Sequence, residues 1–297
     1  MSAADIFSVQ GKVAFVTGAG SGLGRAMAEA MAENGADVAC FDLDQDGLQE
    51  TRRLCEAAGA KVVTIAGDVS NKAAVEEAVE RTVDEFGRLD IAFANAGIGD
   101  PEPGLLHEYD DANWKRVVDV NLNGVFYTDR AALRQMMKQG GGKIINTASM
   151  WGLAGASSVF PLPAYNATKG AVVNLTRELG LQYATHNIQI NALCPSFFLT
   201  NLGPYDNPKF LAATTGFTPM GRVAHPSEIK GAALYLASSA SSFVIGTMLV
   251  IDGGCMAKRP IQTRKPRHAF HRQDDNDHWR RHRHRRCDRE SVCVSRR

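Results

Sequence analysis

A glycine-rich segment between a short apolar run and a helix-forming stretch most constrains how this chain can fold. Residues 12–17 have the length and composition of a buried strand, and residues 25–33 are rich in Ala, Met and Glu, which favour a helix. Glycines stand between them at positions 18, 20, 22 and 24. This order predicts a strand, a tight turn and a helix whose first backbone N–H groups can bind a pyrophosphate. The alternative is a flexible loop without a ligand.

A carboxylate at the end of the second predicted strand indicates which dinucleotide would bind. Asp42 ends an apolar run over residues 37–42. A carboxylate at this place can accept hydrogen bonds from the 2′-hydroxyl of an adenosine ribose, and it repels a 2′-phosphate. Neither Ser21 nor Leu43 is basic, so neither offsets this repulsion. The sequence therefore predicts NAD rather than NADP. The alternative is that Asp42 only caps the helix that begins near Asp44.

Apolar runs of strand length alternate with helical segments along the first 257 residues. Strands are predicted at 12–17, 37–42, 61–66, 89–94, 143–148, 187–194 and 248–252, with a long helix over 110–138, a loop over 195–222 and a helix over 225–237. Strict alternation favours a parallel sheet covered by helices on both faces. The predicted fold is therefore α/β, a three-layer doubly wound parallel sheet forming a single domain over residues 1–257. Ligands of such sheets bind beyond the carboxyl ends of the strands.

A tyrosine and a lysine begin the helical pattern that follows the fifth predicted strand. Tyr165 and Lys169 would emerge on one face of that helix, and Ser149 lies just beyond the strand. A free phenol has a pKa of about 10, and a nearby ammonium favours the phenolate, so Lys169 together with a bound cofactor cation is expected to lower the pKa of Tyr165. The Ser149 hydroxyl could hold a substrate oxygen against that phenol. Taken alone, this spacing also fits an ordinary surface pair.

Several ordered motifs together resemble those of the short-chain dehydrogenase/reductase family, over nearly all of residues 8–256. The motifs are the glycine segment from Thr17 to Gly24, Asp68 with Val69, Asn95 to Gly97, Val120 with Asn121, Ser149, Tyr165 to Lys169, Pro195 to Thr200, and Asp252 to Gly254. The resemblance implies a Rossmann-like fold and a nicotinamide cofactor that carries the hydride chemistry. Ser196 departs from the pattern, because the family usually has glycine there.

The resemblance also implies roles for individual residues. Tyr165 would be the general acid/base, Ser149 would orient the substrate oxygen, and Lys169 would hold the nicotinamide ribose and lower the pKa of Tyr165. Asn121 would position a proton-relay water through its effect on the main chain. Ser157 and Ser158 are lesser candidates for the substrate-orienting hydroxyl. Residues expected to contact the cofactor are Gly18, Ser21, Gly22, Leu23, Gly24, Asp42, Asp68, Val69, Asn95, Gly97, Tyr165, Lys169, Phe198 and Thr200.

The expected activity is NAD-dependent interconversion of a secondary alcohol and a ketone on a hydrophobic or ring-containing small molecule. This substrate class follows from the residues in or beside the segments that would form the pocket, which are mainly apolar and aromatic. They are Met150, Trp151, Phe160, Leu162, Phe197, Phe198, Tyr205, Phe210 and Phe217. The alternatives are a noncatalytic NAD-binding sensor or scaffold, and a nicotinamide-dependent epimerase or dehydratase. The resemblance further implies a homo-oligomer, a tetramer or dimer built partly from the helices containing Asn121 and Tyr165.

The composition favours an ordinary globular protein outside the membrane. The chain is 44% hydrophobic and 22% charged, with no apolar run long enough to span a bilayer. The first ten residues lack the layout of a signal peptide, so a cytoplasmic location is expected. The six cysteines form no C-x-x-C pair and no metal-binding spacing, which indicates reduced thiols and no metal site.

The last forty residues differ sharply in charge from the rest. Residues 258–297 hold 14 Lys and Arg against 5 Asp and Glu, which gives them a net charge of about +9 and leaves about −8 on residues 1–257. A segment this polar cannot bury enough surface to fold, so we expect a basic, Arg/His-rich disordered tail. The favoured interpretation is an extension without function. The alternatives are an electrostatic nucleic-acid arm and a weak metal-binding tract of its five His.

Overall fold

Seven parallel strands form one sheet in the computed structural model, which describes residues 2–157 and 159–257. The strands lie in the order β3-β2-β1-β4-β5-β6-β7, and every neighbouring pair is parallel. Their bounds are β1 (Val13–Thr17), β2 (Asp37–Asp42), β3 (Val62–Ala66), β4 (Ile91–Ala94), β5 (Gly142–Thr147), β6 (Ile188–Pro195) and β7 (Met248–Ile251). The predicted doubly wound parallel sheet is confirmed. The predictions for the tail over 258–297 concern residues outside the described ones.

Helices cover both faces of this sheet. They are α1 (Ala3–Phe7), α2 (Gly22–Glu33), α3 (Gln45–Ala57), α4 (Lys72–Phe86), α5 (Asp111–Val118), α6 (Gly124–Gln139), α7 (Pro163–Tyr183), α8 (Pro208–Phe217) and α9 (Lys230–Ala237). Successive residues of a strand point to opposite faces, so Val16 joins the apolar cluster that contains residues of α2 and α9, whereas Phe15 joins the cluster that contains residues of α4 and α6. The strands are buried on both sides, which explains their continuous apolar runs.

Three predicted segments, two helices and one loop, differ in detail from the structure. The helix expected over 110–138 is interrupted by a π-helical turn over Asp119–Asn123, which separates α5 from α6. The segment expected to be a loop over 195–222 contains α8, and the helix expected over 225–237 begins with a 3-10 turn over Pro226–Ile229. A π-helical turn adds one residue to a helical turn and redirects its side chains toward a specific contact. The spacing of apolar residues does not depend on that contact, so it could not predict the interruption.

A buried carboxyl group joins α6 to β5 and α7. Asp129 accepts a hydrogen bond from Asn146 Nδ2 at 3.1 Å, and the same amide donates to Thr176 Oγ1 at 3.1 Å. Asp129 Oδ1 and Asn146 Oδ1 have no hydrogen-bond partner among the described residues. Burial raises the pKa of Asp129 to about 7, well above the value of about 3.9 expected in the unfolded chain. The folded protein therefore binds this proton more tightly, and its stability falls as pH rises from about 4 to 7.

The substitution Asp129→Asn should raise the melting temperature at pH 8 by about 4 °C or more, with a much smaller gain at pH 5. An asparagine carries no charge, and its Nδ2 can donate to Asn146 Oδ1 while its Oδ1 keeps the existing bond. Thermal unfolding at both pH values measures the effect. Asp84→Asn, which makes the same change on the exposed surface of α4, is the control and should shift neither value. Equal gains at the two pH values would contradict the titration of Asp129.

Candidate active site

A cavity of about 840 Å³ lies at the carboxyl ends of the strands. Strand β1 pairs with β2 on one side and with β4 on the other, so the loops after these strands diverge and leave a crevice. The cavity is lined by every residue predicted at the cofactor: Gly18, Ser21, Gly22, Leu23, Gly24, Asp42, Asp68, Val69, Asn95, Gly97, Tyr165, Lys169, Phe198 and Thr200. Ser149 lines it as well. Residues far apart in sequence thus meet in one site.

The glycine turn leads directly into helix α2 at one end of the cavity. Gly18 has a φ of 70°, which favours glycine, and a Cβ added to Gly24 would lie 2.0 Å from the Gly18 carbonyl oxygen. Ser21 is the N-cap residue of α2, and its side chain makes no capping hydrogen bond. The turn therefore brings the backbone of the helix start to the cavity wall. These N–H groups and the positive end of the helix dipole suit a phosphate group.

The Asp42 carboxylate stands beside this turn at the end of β2. Its Oδ2 accepts a hydrogen bond from the Gly20 N–H at 2.8 Å, and its Oδ1 accepts one from the Asp44 N–H at 2.9 Å. The N-cap of α3 is Asp44, whose side chain accepts from the Gly47 N–H at 3.0 Å. Asp42 is therefore not the cap of this helix. Two backbone donors hold its carboxylate at the cavity wall with a fixed orientation.

Two residues of the cavity wall form an ion pair that the sequence patterns did not indicate. Arg116 on α5 lies 3.5 Å from Asp68 Oδ2, and both residues line the cavity. The pKa of Asp68 is lowered despite its partial burial, because its hydrogen bonds with Ser70 and the charge of Arg116 favour the carboxylate. The contact joins residues 48 positions apart, and only the fold brings them together.

Asn121 lies behind the cavity wall rather than in it. It is fully buried in the π-helical turn, where its Oδ1 accepts from the Ile98 N–H and its Nδ2 donates to the Ile98 carbonyl, both at 2.8 Å. Asn95, at the start of the same loop, donates to the Thr17 carbonyl at 3.0 Å and accepts from the Thr147 hydroxyl at 3.1 Å. These amides fix the loop after β4 to the helix and strands around it.

The side chains of Ser149, Tyr165 and Lys169 are all buried, with exposed fractions of 3%, 8% and 3%. Ser149 follows β5, and its Oγ accepts from the Trp151 N–H at 3.1 Å. Tyr165 lies in the first turn of α7, and Lys169 lies one turn later with Nζ 5.7 Å from the centre of the Tyr165 ring. Lys169 Nζ donates to the Thr147 carbonyl at 2.7 Å. The three groups therefore share the cavity that contains the glycine turn.

The protein's own groups raise the pKa of Tyr165 rather than lower it, so Lys169 without a cofactor cation does not produce the predicted lowering. Burial of the phenol is the largest cause, hydrogen bonding with Ser149 opposes it, and the charge of Asp100 raises the pKa further. Burial also lowers the pKa of Lys169 to about 8. The ammonium is directed at the Thr147 carbonyl, and its helical spacing from Tyr165 does not by itself stabilise the phenolate.

Aromatic side chains form the opposite wall of the cavity. The rings of Phe160 and Phe210 stack with centres 4.9 Å apart, and Tyr205 packs edge-on against Phe210 at 5.1 Å. Of the predicted pocket residues, those lining the cavity are Trp151, Phe160, Leu162, Phe197, Phe198, Tyr205 and Phe210. Met150 and Phe217 pack behind this surface, in the same apolar cluster as Trp151. Helix α8, which the sequence did not predict, supplies Phe210.

The structure shows where two of the less prominent predicted residues, Ser196 and Ser157, lie relative to the cavity. Ser196 lines the cavity, and its backbone N–H donates to the Ile251 carbonyl at 3.0 Å, so the residue replacing the usual glycine is accommodated beside β7. Ser157 is not among the cavity-lining residues, and Ser158 lies outside the described residues.

Among the described helices, none is both long and apolar enough to span a bilayer. Nor does the described part of the chain hold three or more His, Cys, Asp or Glu side chains grouped to bind a metal ion.

Comparison with known proteins agrees with this architecture. Residues 18–256 match a family model described as enoyl-(acyl carrier protein) reductase. The chain is 39% identical to cis-4-hydroxycyclohexanecarboxylate dehydrogenase of Sinomonas cyclohexanicum, over 83% of this chain and 97% of that protein. A solved short-chain type dehydrogenase/reductase from Mycobacterium marinum superposes with a TM-score of 0.83 at 36% identity, covering 86% of this chain and all of that one. The chain belongs to the short-chain dehydrogenase/reductase family.

Relatives of this short-chain dehydrogenase/reductase differ in substrate by their names, and one of them was solved with NADP. It is 40% identical to 3beta-hydroxysteroid dehydrogenase 2 of Eggerthella lenta, over 83% of this chain and 95% of that protein. It is also 38% identical to 2-dehydro-3-deoxy-D-gluconate 5-dehydrogenase of Dickeya dadantii, over 85% and 98% of the two chains. A gluconate 5-dehydrogenase of Burkholderia cenocepacia, solved with NADP and tartrate, has a TM-score of 0.81 at 34% identity, covering 87% of this chain and 100% of that one. Membership of the family alone therefore fixes neither the substrate nor the choice between NAD and NADP.

Proposed function

We propose that this protein is an NAD-dependent oxidoreductase that interconverts a secondary alcohol and a ketone on a hydrophobic or ring-containing small molecule. The observation that carries the proposal is one cavity that joins three features: a glycine turn at a helix start, the Asp42 carboxylate, and the buried Ser149, Tyr165 and Lys169. Glycine at position 24 lets the helix start pack against the turn, because a Cβ there would lie 2.0 Å from the Gly18 carbonyl oxygen, and the N–H groups at this helix start suit a pyrophosphate. A nicotinamide cofactor bound there would supply the hydride chemistry.

The proposed task of the protein side chains is to supply the proton and hold the substrate. Ser149 binds the substrate oxygen, and Tyr165 accepts the hydroxyl proton in oxidation or donates it in reduction. Lys169, anchored at the Thr147 carbonyl, is placed to hold the nicotinamide ribose. Because burial raises the pKa of Tyr165, the neutral phenol is the stable form near neutrality. This form suits proton donation to a ketone, and oxidation requires a higher pH.

The choice of NAD rests on the position of Asp42. Its carboxylate lies at the cavity wall and is held there by the N–H groups of Gly20 and Asp44. The cavity's own basic residues are Arg116, which is paired with Asp68, and Lys169. Neither forms an ion pair with Asp42, and a 2′-phosphate beside this carboxylate would meet a like negative charge. A ribose with a free 2′-hydroxyl can instead donate a hydrogen bond.

The substrate class rests on the aromatic wall. Stacked and edge-packed rings offer flat apolar surface to a ring-shaped substrate. A sugar acid would bring several hydroxyl groups against this surface, and each one left without a hydrogen-bond partner would weaken binding. The cyclohexane and steroid dehydrogenases among the relatives fit such a wall better than the gluconate dehydrogenases do. We therefore favour a cyclic secondary alcohol or its ketone.

Two other functions fit the same fold. A noncatalytic NAD-binding sensor or scaffold needs the glycine turn, Asp42 and a group at the ribose such as Lys169, but it does not also need a serine and a tyrosine buried in the same cavity. A nicotinamide-dependent epimerase or dehydratase would use those groups without net oxidation of the substrate. Net turnover of the cofactor distinguishes all three.

Oxidation of secondary alcohols tests the proposed function. With NAD, a panel of cyclohexanols and 3-hydroxysteroids should produce reduced nicotinamide with kcat/KM at least about tenfold above that for gluconate, because polar hydroxyls lose hydrogen bonds in an aromatic site. Absorbance of the reduced cofactor measures the rate. Binding of NAD without turnover of any alcohol or ketone would favour the sensor, and conversion of a substrate without net cofactor reduction would favour the epimerase or dehydratase.

Replacement of the phenol tests the acid/base role. Tyr165→Phe should lower kcat by about 10²-fold or more, because it removes only the proton-transfer group. NAD affinity, followed by fluorescence titration, should stay within about twofold. Tyr183→Phe makes the same substitution at the other end of α7 and serves as the control. Turnover near the wild-type rate in Tyr165→Phe would exclude the phenol as the acid/base.

Replacement of Asp42, the carboxylate proposed to bind the ribose, tests the choice between NAD and NADP. Asp42→Ala should weaken the preference for NAD: the ratio of kcat/KM with NAD to kcat/KM with NADP should fall by about tenfold or more. The substitution removes a charged hydrogen-bond acceptor for the ribose and a charge that repels a 2′-phosphate. Steady-state kinetics with each cofactor gives the ratio. Asp46→Ala, on the exposed first turn of α3, is the control. An unchanged ratio in Asp42→Ala would contradict the ribose contact.

A further inference from the structure

Helix α7, which carries Tyr165, has no cap of its own. Its N-cap residue is Leu162, which makes no side-chain hydrogen bond, and Pro163 in the first position has no N–H to donate. The Tyr165 N–H instead donates to Asp100 Oδ1 at 2.9 Å, and the Ala164 N–H also bonds with this carboxylate. Asp100 belongs to the loop after β4, 65 residues earlier in the chain. The helix start is thus capped by a side chain from another part of the fold.

Hydrogen bonds from a neighbouring helix hold the loop that supplies this cap. The side-chain amide of Asn121 makes two 2.8 Å hydrogen bonds with the backbone of Ile98, two residues before Asp100. Asp100 is 7% exposed and lines the cavity. The Tyr109 hydroxyl also lies near this carboxylate and acts on its pKa, although by distance and angle neither that hydroxyl nor Asp100 Oδ2 has a hydrogen-bond partner among the described residues. One connected set of contacts therefore runs from the π-helical turn through Asp100 to the backbone of Tyr165.

We propose that Asp100 is a positioning residue for the reaction, whose carboxylate fixes the first turn of α7 and the backbone that carries the Tyr165 phenol. The inference rests on the proposed function and adds to it a residue outside the motifs of the sequence. An N-cap carboxylate binds the N–H groups of the second and third helical positions, and here the third position is Tyr165 itself. The orientation of this backbone therefore depends directly on Asp100.

The charge of Asp100 acts on the phenol along with several other groups. Burial is the largest cause of the raised pKa of Tyr165, and the charge of Asp100 adds to the rise. The other polar or titratable groups facing the phenol come from four elements or loops: Ser149 after β5, Cys194 on β6, Lys169 on α7 and Tyr205 in the loop after β6. Removing one negative charge from this set should make the phenolate easier to form, because like charges oppose ionisation.

Two substitutions separate the cap from the charge. Asp100→Asn keeps an oxygen that can accept from the Tyr165 N–H and removes the charge, whereas Asp100→Ala removes both. In Asp100→Asn, kcat at high pH should stay within about threefold of wild type, and the acid limb of the oxidation profile should move to lower pH by about half a unit or more. In Asp100→Ala, kcat should fall by about tenfold or more with KM for NAD nearly unchanged, because the helix start is misplaced.

Asp110→Asn is the matched control. Asp110 caps the neighbouring helix α5 by accepting from the Asn113 N–H at 2.9 Å, and it is exposed. The substitution removes the same charge from a cap carboxylate that does not act on Tyr165, so both kcat and the pH profile should match those of wild type. A profile of Asp100→Asn that coincides with that of Asp110→Asn would overturn the role of the charge. Wild-type kcat in Asp100→Ala would overturn the role of the cap.

A titration without substrate keeps this inference separate from the proposed activity. The ultraviolet absorbance of phenolate is recorded against pH for the wild type and for Tyr165→Phe, and the difference belongs to Tyr165. The same pair is measured with Asp100→Asn in both proteins. The Tyr165 titration should move to lower pH in the Asp100→Asn background even if no alcohol on the panel is oxidised. An unmoved Tyr165 titration would refute the inference whether or not the enzyme turns over.

Discussion

The parallel pairing of β1 with both β2 and β4 is the constraint on which the rest of the structure depends. Parallel strands place all of their carboxyl ends at one edge of the sheet, and pairing on both sides of β1 makes the following loops diverge there. The glycine turn, Asp42 and the loop with Asn95 follow these three strands. Their meeting in one cavity is a consequence of strand direction and strand order, and it does not depend on any single side chain.

Burial of ionisable groups sets the chemistry of the site. Removing the Tyr165 phenol and the Lys169 ammonium from water disfavours the charged form of each, which raises the first pKa and lowers the second to about 8. The two shifts move the proton affinities of the phenol and the amine apart, because the ordinary pKa values of the two groups, about 10 and about 10.4, lie close together. Burial thus favours the neutral form of both groups, and the hydrogen bond with Ser149 opposes this effect at the phenol.

The substrate side of the cavity is built from parts that vary more easily than the sheet. Its aromatic wall combines residues after β5 with residues of α8, and both segments lie outside the sheet. Family relatives with similar folds act on cyclohexane, steroid and gluconate derivatives by their names. Loops on a fixed scaffold can change their lining without disturbing strand pairing, which explains how one architecture accommodates such different substrates.

The sequence by itself determined the alternating strands and helices, the turn at Gly18 to Gly24 and the placement of Tyr165 and Lys169 on one helix, because these depend on local periodicity and on residue spacing. Tertiary structure alone decided the contacts between distant segments. Three such contacts have no local sequence pattern: the hydrogen bond from Tyr165 to Asp100, the ion pair of Asp68 with Arg116, and the hydrogen bonds between Asn121 and Ile98. The direction of the Tyr165 pKa shift belongs to the same group, since it follows from burial and from charges that only the folded chain brings together.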